Sequence, residues 1–561
     1  MSIAFFNARK RVKKNPRLEF QLKDDDTLIF KLKYISSERD FKDYTKLSRG
    51  YFEVKIVSLP ALFELCSEKC YEIIPLPENI EKAVTLTHTI TFDESFKETA
   101  LWKRMFEYQR DGVELTIRMG TRSLIGDEMG LGKTLQAIAV IKYHDHQSVL
   151  IICPAYLRYT WKHELEKWLG TVELCIVNKG SDEMNKGTFQ YLIISYELAS
   201  KRAAELKALN FEIVVCDESH YFKGHRTKRT RNLTPLVKKI PHALLLTGTP
   251  ALNRPCELFP QMHMLRPDFF KTWGTYTKRY CNGQMSPLGF YDYSGSSNAF
   301  ELVWFIRRVA MIRRVKRDVL TQLPAKQRSE MYVPLLPNKI APMLPFFSEW
   351  KALNRAIPNM VPCSEEIKSA SFRRKTLISQ LFRMTSVAKA DVVKKIVKDF
   401  ADSGLKFIVF CYHKELMNQI SSVLSCPFIR IDGSTPQESR QTLVDKFQNG
   451  DAQVAVLSLL AASTGLTLTA TSHVLFAELY FVPGTMLQAE DRIHRVGQTK
   501  VCSIKYIIAE GSLDDYIFKM LRHKLETLDT VLDGRTDREF RGERVDYSKD
   551  GVQRTDCETL F

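Results

Sequence analysis

Apolar residues in this chain come in short blocks, and the blocks fall into two groups. In the first group, Ser123-Leu124-Ile125 is followed by Ser148–Pro154, Phe189–Tyr196, Phe211–Glu218 and Ala243–Thr249. Val, Ile and Leu dominate each block, and polar stretches of helical character separate them. Strands buried on both faces have this continuous apolar reading, and strands that alternate with helices make a parallel sheet. In the second group the pattern repeats over Lys406–Tyr412, Phe428–Asp432, Gln453–Ser458, Val474–Glu478 and Val501–Ile508. A second alternating sheet is therefore expected from about residue 386. Ligands of such sheets sit beyond the carboxyl ends of the strands.

Outside the two groups the pattern changes. Leu18–Leu22, Thr27–Leu32 and Tyr51–Ile56 read as strands and Pro60–Cys70 as a short helix, a small α+β unit without catalytic clusters. Ahead of it, Arg9, Lys10, Arg11, Lys13, Lys14 and Arg17 form a basic arm: an import signal, a DNA-contacting arm or a solvated tail. From 251 to about 385 prolines recur and the alternation breaks. A long basic helix is expected from about Glu301 to Leu320, carrying Arg307, Arg308, Arg313, Arg314, Lys316 and Arg317. It is either a solvated face or a phosphate contact, as is the cluster Arg373, Arg374 and Lys375. From 531 onward the chain is charged and poor in apolar residues, and a largely disordered tail is expected.

The expected fold is thus α/β, with two parallel-sheet lobes, helical insertions and a small α+β N-terminal domain. The divisions are 1–17 (basic arm), 18–95 (accessory domain), 96–325 (first lobe, with a helical protrusion from about 251), 326–530 (protrusion to about 385, then the second lobe) and 531–561 (tail).

A length of 561 residues agrees with several folded units. The net charge of +17 favours a polyanionic partner, nucleic acid first. No apolar run approaches a membrane span, and Met1–Asn15 has no apolar signal core. The cysteines are scattered, as in a reduced intracellular protein. Cys66 and Cys70 lack the second ligand pair that a zinc site would need.

Chemistry gathers at strand ends. Asp127-Glu128-Met129-Gly130-Leu131-Gly132-Lys133-Thr134 lies between an apolar strand and a helix-forming series. Gly130 and Gly132 let backbone N–H groups turn toward phosphate oxygens, and the helix N-terminus adds partial positive charge. Lys133 suits the β- and γ-phosphates and Thr134 a Mg²⁺ ion. The strict phosphate-loop pattern wants Gly where Asp127 stands, so the match is to a looser form. Val214–His220 delivers Asp217 and Glu218 at the end of a strand. Asp217 can hold Mg²⁺ through water and Glu218 can polarise an attacking water; a lone Asp-Glu is otherwise a helix cap. Leu246-Thr247-Gly248-Thr249-Pro250 suits a relay to a second site, or is a plain turn. In Gln488–Gln498, Arg492 and Arg495 are three apart on an expected helix and share one face. They are arginine fingers or members of a surface salt-bridge helix.

In combination these stretches resemble the Swi/Snf-related branch of the superfamily-two helicases, over about residues 101–530. The resemblance implies two RecA-like lobes with ATP between them and translocation along duplex DNA without strand separation. It implies that Lys133, Thr134 and Asp217 hold Mg·ATP, that Glu218 positions water, that Gln109 reads adenine, and that Arg492 and Arg495 act from the second lobe. Asp127, Gly130, Gly132 and Gly465 complete the expected nucleotide contacts. Within that branch the chain resembles the annealing helicases (the HepA-related, HARP or SMARCA-like group) at Tyr291–Asn298, Gln322–Arg328 and Phe476–Leu479. Ala462-Ser463 and Thr467 around Gly465 depart from the wider family in the same direction. That group rewinds single-stranded gaps and remodels stalled forks, with a HARP domain ahead of the motor. Residues 18–95 hold that place, and Phe52-Glu53-Val54 is similar to a HARP fragment. The group's motif for the single-stranded-DNA-binding protein is not visible in Met1–Arg17, and no nuclease or zinc-finger cassette follows the motor.

The expectation is a nuclear, monomeric, DNA-dependent ATPase acting on double-stranded and forked DNA, with ATP and Mg²⁺ and no membrane association. A nucleosome remodeller, a non-enzymatic DNA-binding scaffold and an RNA helicase are the alternatives.

Overall fold

The computed structural model describes residues 76–533, except 186, 287–288, 290, 321, 361–363 and 461–467. It also gives the backbone of strands at 17–22, 27–33, 45–48, 51–55, 72–74, 543–548 and 551–553. Cys66, Cys70 and the helix expected at 60–70 lie outside the described residues.

Two compact units divide the chain. The first comprises residues 1–87 and 298–309. Its sheet holds β1 (Arg17–Leu22), β2 (Thr27–Lys33), β3 (Thr45–Ser48), β4 (Tyr51–Lys55) and β5 (Glu72–Ile74), in the order β3-β4-β2-β1-β5. All pairs are antiparallel except β1 with β5. Three of these strands are the expected ones. The same unit takes in the helix Ala299–Val309, from the segment expected in the protrusion, and Arg308 Nη2 donates to Leu86 O (2.8 Å).

The second unit holds both parallel sheets. The first sheet comprises β6 (Arg122–Ile125), β7 (Val149–Cys153), β8 (Leu174–Val177), β9 (Tyr191–Ser195), β10 (Ile213–Asp217), β11 (His242–Leu246) and, beyond a small hairpin of β12 (Gln284–Met285) and β13 (Tyr291–Asp292), β14 (Met311–Ile312). Its order is β14-β6-β11-β10-β7-β9-β8. β7 and β9 are buried at every position, which is why they read as unbroken apolar blocks.

The long basic helix expected at 301–320 does not form. The helix ends at Val309, β14 follows, and a short helix spans Lys316–Val319. Val309, Ala310, Met311 and Ile312 are consecutive buried apolar residues, a strand pattern rather than a helical one. They add an edge strand: Leu124 and Gly126 donate to Ala310 O and Ile312 O, each at 2.7 Å.

The second sheet begins earlier than expected, with β15 (Lys326–Val333). It continues with β16 (Phe407–Cys411), β17 (Phe428–Ile431), β18 (Val454–Ser458), β19 (His473–Phe476), β20 (Cys502–Ala509), β21 (Glu543–Ser548) and β22 (Gly551–Gln553). The order is β17-β18-β16-β19-β20-β15-β21-β22. β15 does not look like a buried strand because it carries Lys326, Arg328 and Glu330; the first two are neutralised by Glu490. β21 pairs in parallel with β15 where an unstructured tail is expected. An open strand edge offers unpaired backbone groups that any extended segment can satisfy. The helix Glu365–Asp402 links β15 to the rest of the lobe. Among the described residues no helix is long and apolar enough to cross a membrane.

Candidate active site

The carboxyl end of β6 runs into a loop that closes at Lys133, where the helix Lys133–His144 begins. Gly130 and Gly132 take φ of 86° and 75°, a region open to glycine without strain. A Cβ on Gly132 would lie 2.3 Å from Gln109 Nε2, so the bare backbone is what admits Gln109. Gln109 Oε1 accepts from Phe106 N–H (3.0 Å) and Nε2 donates to Leu131 O (3.1 Å). It caps the helix Glu107–Arg118 and braces the loop with both ends of its amide. Lys133 Nζ donates to Asp127 O (2.9 Å) and Glu128 O (3.3 Å), inside the curl of the loop. Burial lowers its pKa against the pull of Glu218, Asp127 and Asp217. Thr134 is the second residue of the helix.

Asp127 contributes its backbone carbonyl to this loop, while its carboxylate is occupied elsewhere. Fully buried, it accepts from Gln136 Nε2 (2.9 Å), from Arg314 N–H (2.9 Å) and from Arg314 Nη1 (3.2 Å). The residue that breaks the strict loop pattern thus braces the loop against β14.

β10 places Asp217 and Glu218 opposite this loop. Asp217 Oδ2 accepts from Trp161 Nε1 (2.9 Å), Oδ1 from Glu218 N–H (2.8 Å), and its carbonyl from Tyr196 OH (2.7 Å). Burial, then Glu218 beside it, pushes the Asp217 carboxyl up to about 6. Burial also acts to raise Glu218, but His220, Lys133 and Arg492 outweigh it and hold that carboxyl low. Glu218 adopts φ 52°, a left-handed conformation that non-glycine residues avoid. Its Oε2 is buried, makes no hydrogen bond and lies 3.2 Å from His220 Nδ1.

From His220 a polar path crosses to the second sheet. His220 Nδ1 is 3.1 Å from Thr247 Oγ1, which accepts from Thr249 N–H (3.2 Å). Thr249 Oγ1 accepts from Gln488 Nε2 (3.0 Å), on the helix Pro483–Glu490.

That helix ends before Arg492 and Arg495, so the two arginines are not on one helical face as expected. Glu490 and Asp491 stop it. Glu490 is held by Arg328 Nη2 (2.7 Å) and Tyr506 OH, and Asp491 by Lys326 Nζ (2.7 Å) and Lys316 Nζ (3.0 Å). The chain then turns, with Leu468 N–H donating to Arg492 O (3.0 Å) and His494 Nε2 2.7 Å from Pro324 O. Both side chains nevertheless reach the first lobe's site. Arg492 is buried within the fields of Tyr156 and Glu218, and burial lowers its pKa. Arg495 lies along the phosphate loop: a Cβ on Gly130 would be 3.3 Å from its Cγ. Burial, then Arg492, brings the Arg495 pKa down to about 9.

Three basic residues of the expected helix take part in this arrangement. Arg313 Nη1 donates to Gly126 O (2.7 Å) and Gly248 O (3.3 Å), Arg314 holds Asp127, and Lys316 N–H donates to Glu128 Oε2 (2.7 Å) while its Nζ holds Asp491. The signal for them is the apolar block 309–312 just ahead, which makes a strand end rather than a solvated helix face. Arg373 and Arg374, by contrast, meet Glu349 (2.6 Å) and Asn354 (3.5 Å). Gly465, expected among the nucleotide contacts, lies outside the described residues.

The SNF2-related domain family matches residues 108–341, and the helicase conserved C-terminal domain family residues 388–497. The DNA annealing helicase and endonuclease ZRANB3 of Bos taurus is 38% identical over 84% of this chain and 45% of its own length. The SWI/SNF-related matrix-associated actin-dependent regulator of chromatin subfamily A-like protein 1 of Bos taurus is 33% identical over 98% of this chain and 58% of its own. The Caenorhabditis elegans homolog of the latter is 34% identical over 82% of this chain and 67% of its own. The chain belongs to the SNF2-related family. Within it, the chain is similar to ZRANB3 and to subfamily A-like protein 1. It spans about half the length of the curated relatives it matches. The SNF2-related match runs through β15, although the partners of that strand, β20 and β21, belong to the second lobe.

Proposed function

We propose that this SNF2-related chain is an ATP-dependent double-stranded-DNA translocase that reanneals single-stranded regions or remodels stalled forks, and that it works in the nucleus. The observation that carries the reading is the reach of second-lobe groups into the first lobe's phosphate loop: Arg495 lies at Gly130, and Gln488 bonds Thr249. ATP bound there is touched by both lobes at once, so its hydrolysis can move one against the other.

In this reading the backbone of residues 130–134 and the helix N-terminus cradle the phosphates. Lys133 exchanges Asp127 O and Glu128 O for phosphate oxygens. Gln109 lies where an adenine contact is expected, and to make one it exchanges a backbone partner. Magnesium fits the donor set, which is oxygen only: Asp217, whose carboxylate accepts from two N–H donors and keeps further lone pairs, and the Thr134 hydroxyl. When bound it neutralises charge on the β- and γ-oxygens. Glu218, ionised and with an oxygen that makes no hydrogen bond, orients the attacking water and accepts its proton. Arg492 and Arg495 stabilise charge on the transferring phosphoryl group, which relieves the repulsion between them. Loss of the γ-phosphate removes that relief, and the path Glu218–His220–Thr247–Thr249–Gln488 carries the change to the second lobe.

Duplex and forked DNA as the track is supported by the net charge of +17 and by the annealing-helicase name of the ZRANB3 relatives. A HARP-like role for the N-terminal unit, in selecting forked DNA, rests on its place ahead of the motor and on the likeness of Phe52-Glu53-Val54 to a HARP fragment. A strand-rewinding assay tests the reading. With ATP the chain closes a single-stranded bubble held open by a single-stranded-DNA-binding protein, and Lys133→Ala does not. Hydrolysis stimulated by nucleosomes well beyond bare duplex, without rewinding, would instead make it a remodeller.

A further inference from the structure

The end of the first sheet away from the phosphate loop carries chemistry that the nucleotide reading leaves unused. His144 closes the helix that begins at Lys133, His146 follows two residues on, and His242 opens β11. Helical residues two apart face away from each other. Here a Schellman turn folds the chain back: Asp145 takes φ 50°, its N–H donates to Lys142 O (3.2 Å), and His146 N–H donates to Ile141 O (3.4 Å). The three imidazoles then form a near-equilateral triangle. Ring centroids are 5.0 Å apart for His144–His146, 4.6 Å for His144–His242 and 4.9 Å for His146–His242. One ligating atom from each lies within 4.8 Å of the others, the only such group among the described residues. Three imidazoles on one tetrahedral ion, with metal–nitrogen bonds of about 2.0–2.1 Å, have centroids about 5 Å apart.

The surroundings suit ligation. Glu212 Oε2 lies 3.4 Å from His146 Nδ1 and is itself fixed by Gln147 N–H (2.8 Å) and Ser148 N–H (3.3 Å). A carboxylate on the far nitrogen of a histidine holds its proton there and leaves Nε2 as the donor atom. His146 Nε2 faces His242 Nδ1 at 2.9 Å, and an ion between them needs that gap to widen to about 3.3 Å. Thr121 Oγ1 holds His144 Nε2 at 2.7 Å.

We propose that His144, His146 and His242 form a binding site for a divalent transition metal, zinc first, with Glu212 orienting His146 and water completing the shell. Nitrogen donors of this kind select Zn²⁺ and its neighbours over Mg²⁺ or Ca²⁺. The ion would tie the helix that starts at the phosphate loop to β11, the strand that leads into Thr247 and Thr249. It is a structural clamp on the side of the sheet away from the nucleotide.

The test uses the full chain without a histidine tag. Metal content is measured after dialysis, and Co²⁺ is titrated into stripped protein and followed by visible absorption. The site predicts about one zinc per chain, falling to roughly a tenth in His146→Gln and His242→Asn, together with a tetrahedral Co²⁺ band and a melting temperature raised by Zn²⁺. Wild-type protein with roughly a tenth of an equivalent or less, no cobalt band and no zinc-dependent melting shift would overturn it. So would equal zinc in wild type and both variants, which would put the ion elsewhere. If the variants fail to fold, the wild-type measurements still decide.

Discussion

Glu218 holds a left-handed backbone, a buried carboxylate oxygen without a hydrogen bond and a lowered pKa, at the mouth of a strand that also presents Asp217. The left-handed backbone and the buried oxygen cost the fold free energy, and with the ionised carboxylate they fit a group kept ready for a water molecule. Glu218→Gln should lower ATP hydrolysis by about 10²–10⁴-fold and leave ATP affinity within a few-fold. Turnover and nucleotide-binding titrations side by side check this, and turnover near that of wild type would remove Glu218 from the chemistry. Asp127 is the opposite case. Its carboxylate is taken up by Arg314 and Gln136, so Asp127→Ala should act on stability, by about 2 kcal/mol, because it leaves a half-buried guanidinium and a buried amide without their partner. A denaturant melt reads that loss.

At the scale of elements, the helix Pro483–Glu490 is anchored by its last residue. Burial would raise the Glu490 carboxyl, but Arg328, Lys326 and Tyr506 outweigh it and hold it down from 4.5 to about 2. A depressed carboxylate pKa gives stability that is present above pH 4.5 and lost as pH falls through 2. The contribution is about 3 kcal/mol at neutral pH. Glu490→Gln should therefore be less stable than wild type at pH 7, with the gap closing at acid pH; a gap independent of pH would contradict the assignment. Gln488, two residues earlier, touches the other lobe. Gln488→Ala should reduce DNA-stimulated hydrolysis about tenfold, the worth of one hydrogen bond between lobes, with ATP affinity little changed. Equal loss without DNA would make the contact merely structural. These elements also mark where the sequence is legible. β7, β9, β10 and β11 announce themselves because burial on both faces demands unbroken apolar residues. β15 does not, because its charges are neutralised by partners that lie far along the chain, at Glu490 and Asp491. β14 is hidden among arginines, so Arg313, Arg314 and Lys316 read as a surface and are found in the site. The arginine pair is legible by spacing, but the helix that would have carried it ends at Glu490, whose ties to Arg328 and Tyr506 no local pattern reveals.

At the scale of the molecule, groups from two sheets meet at one candidate site, and the chain as a whole is strongly basic. In the proposed reading the nucleic acid sets how often the lobes close. Duplex DNA bound away from the phosphate loop, as that reading requires, should show its effect in turnover rather than in ATP affinity. The most direct test is ATP hydrolysis by the purified chain without nucleic acid and with single-stranded, duplex and forked DNA and RNA, with Glu218→Gln in parallel. Strong stimulation by duplex and forked DNA, weak stimulation by RNA, and loss of both in the variant are the predicted results. No hydrolysis with any of them would contradict the motor and leave a DNA-binding scaffold.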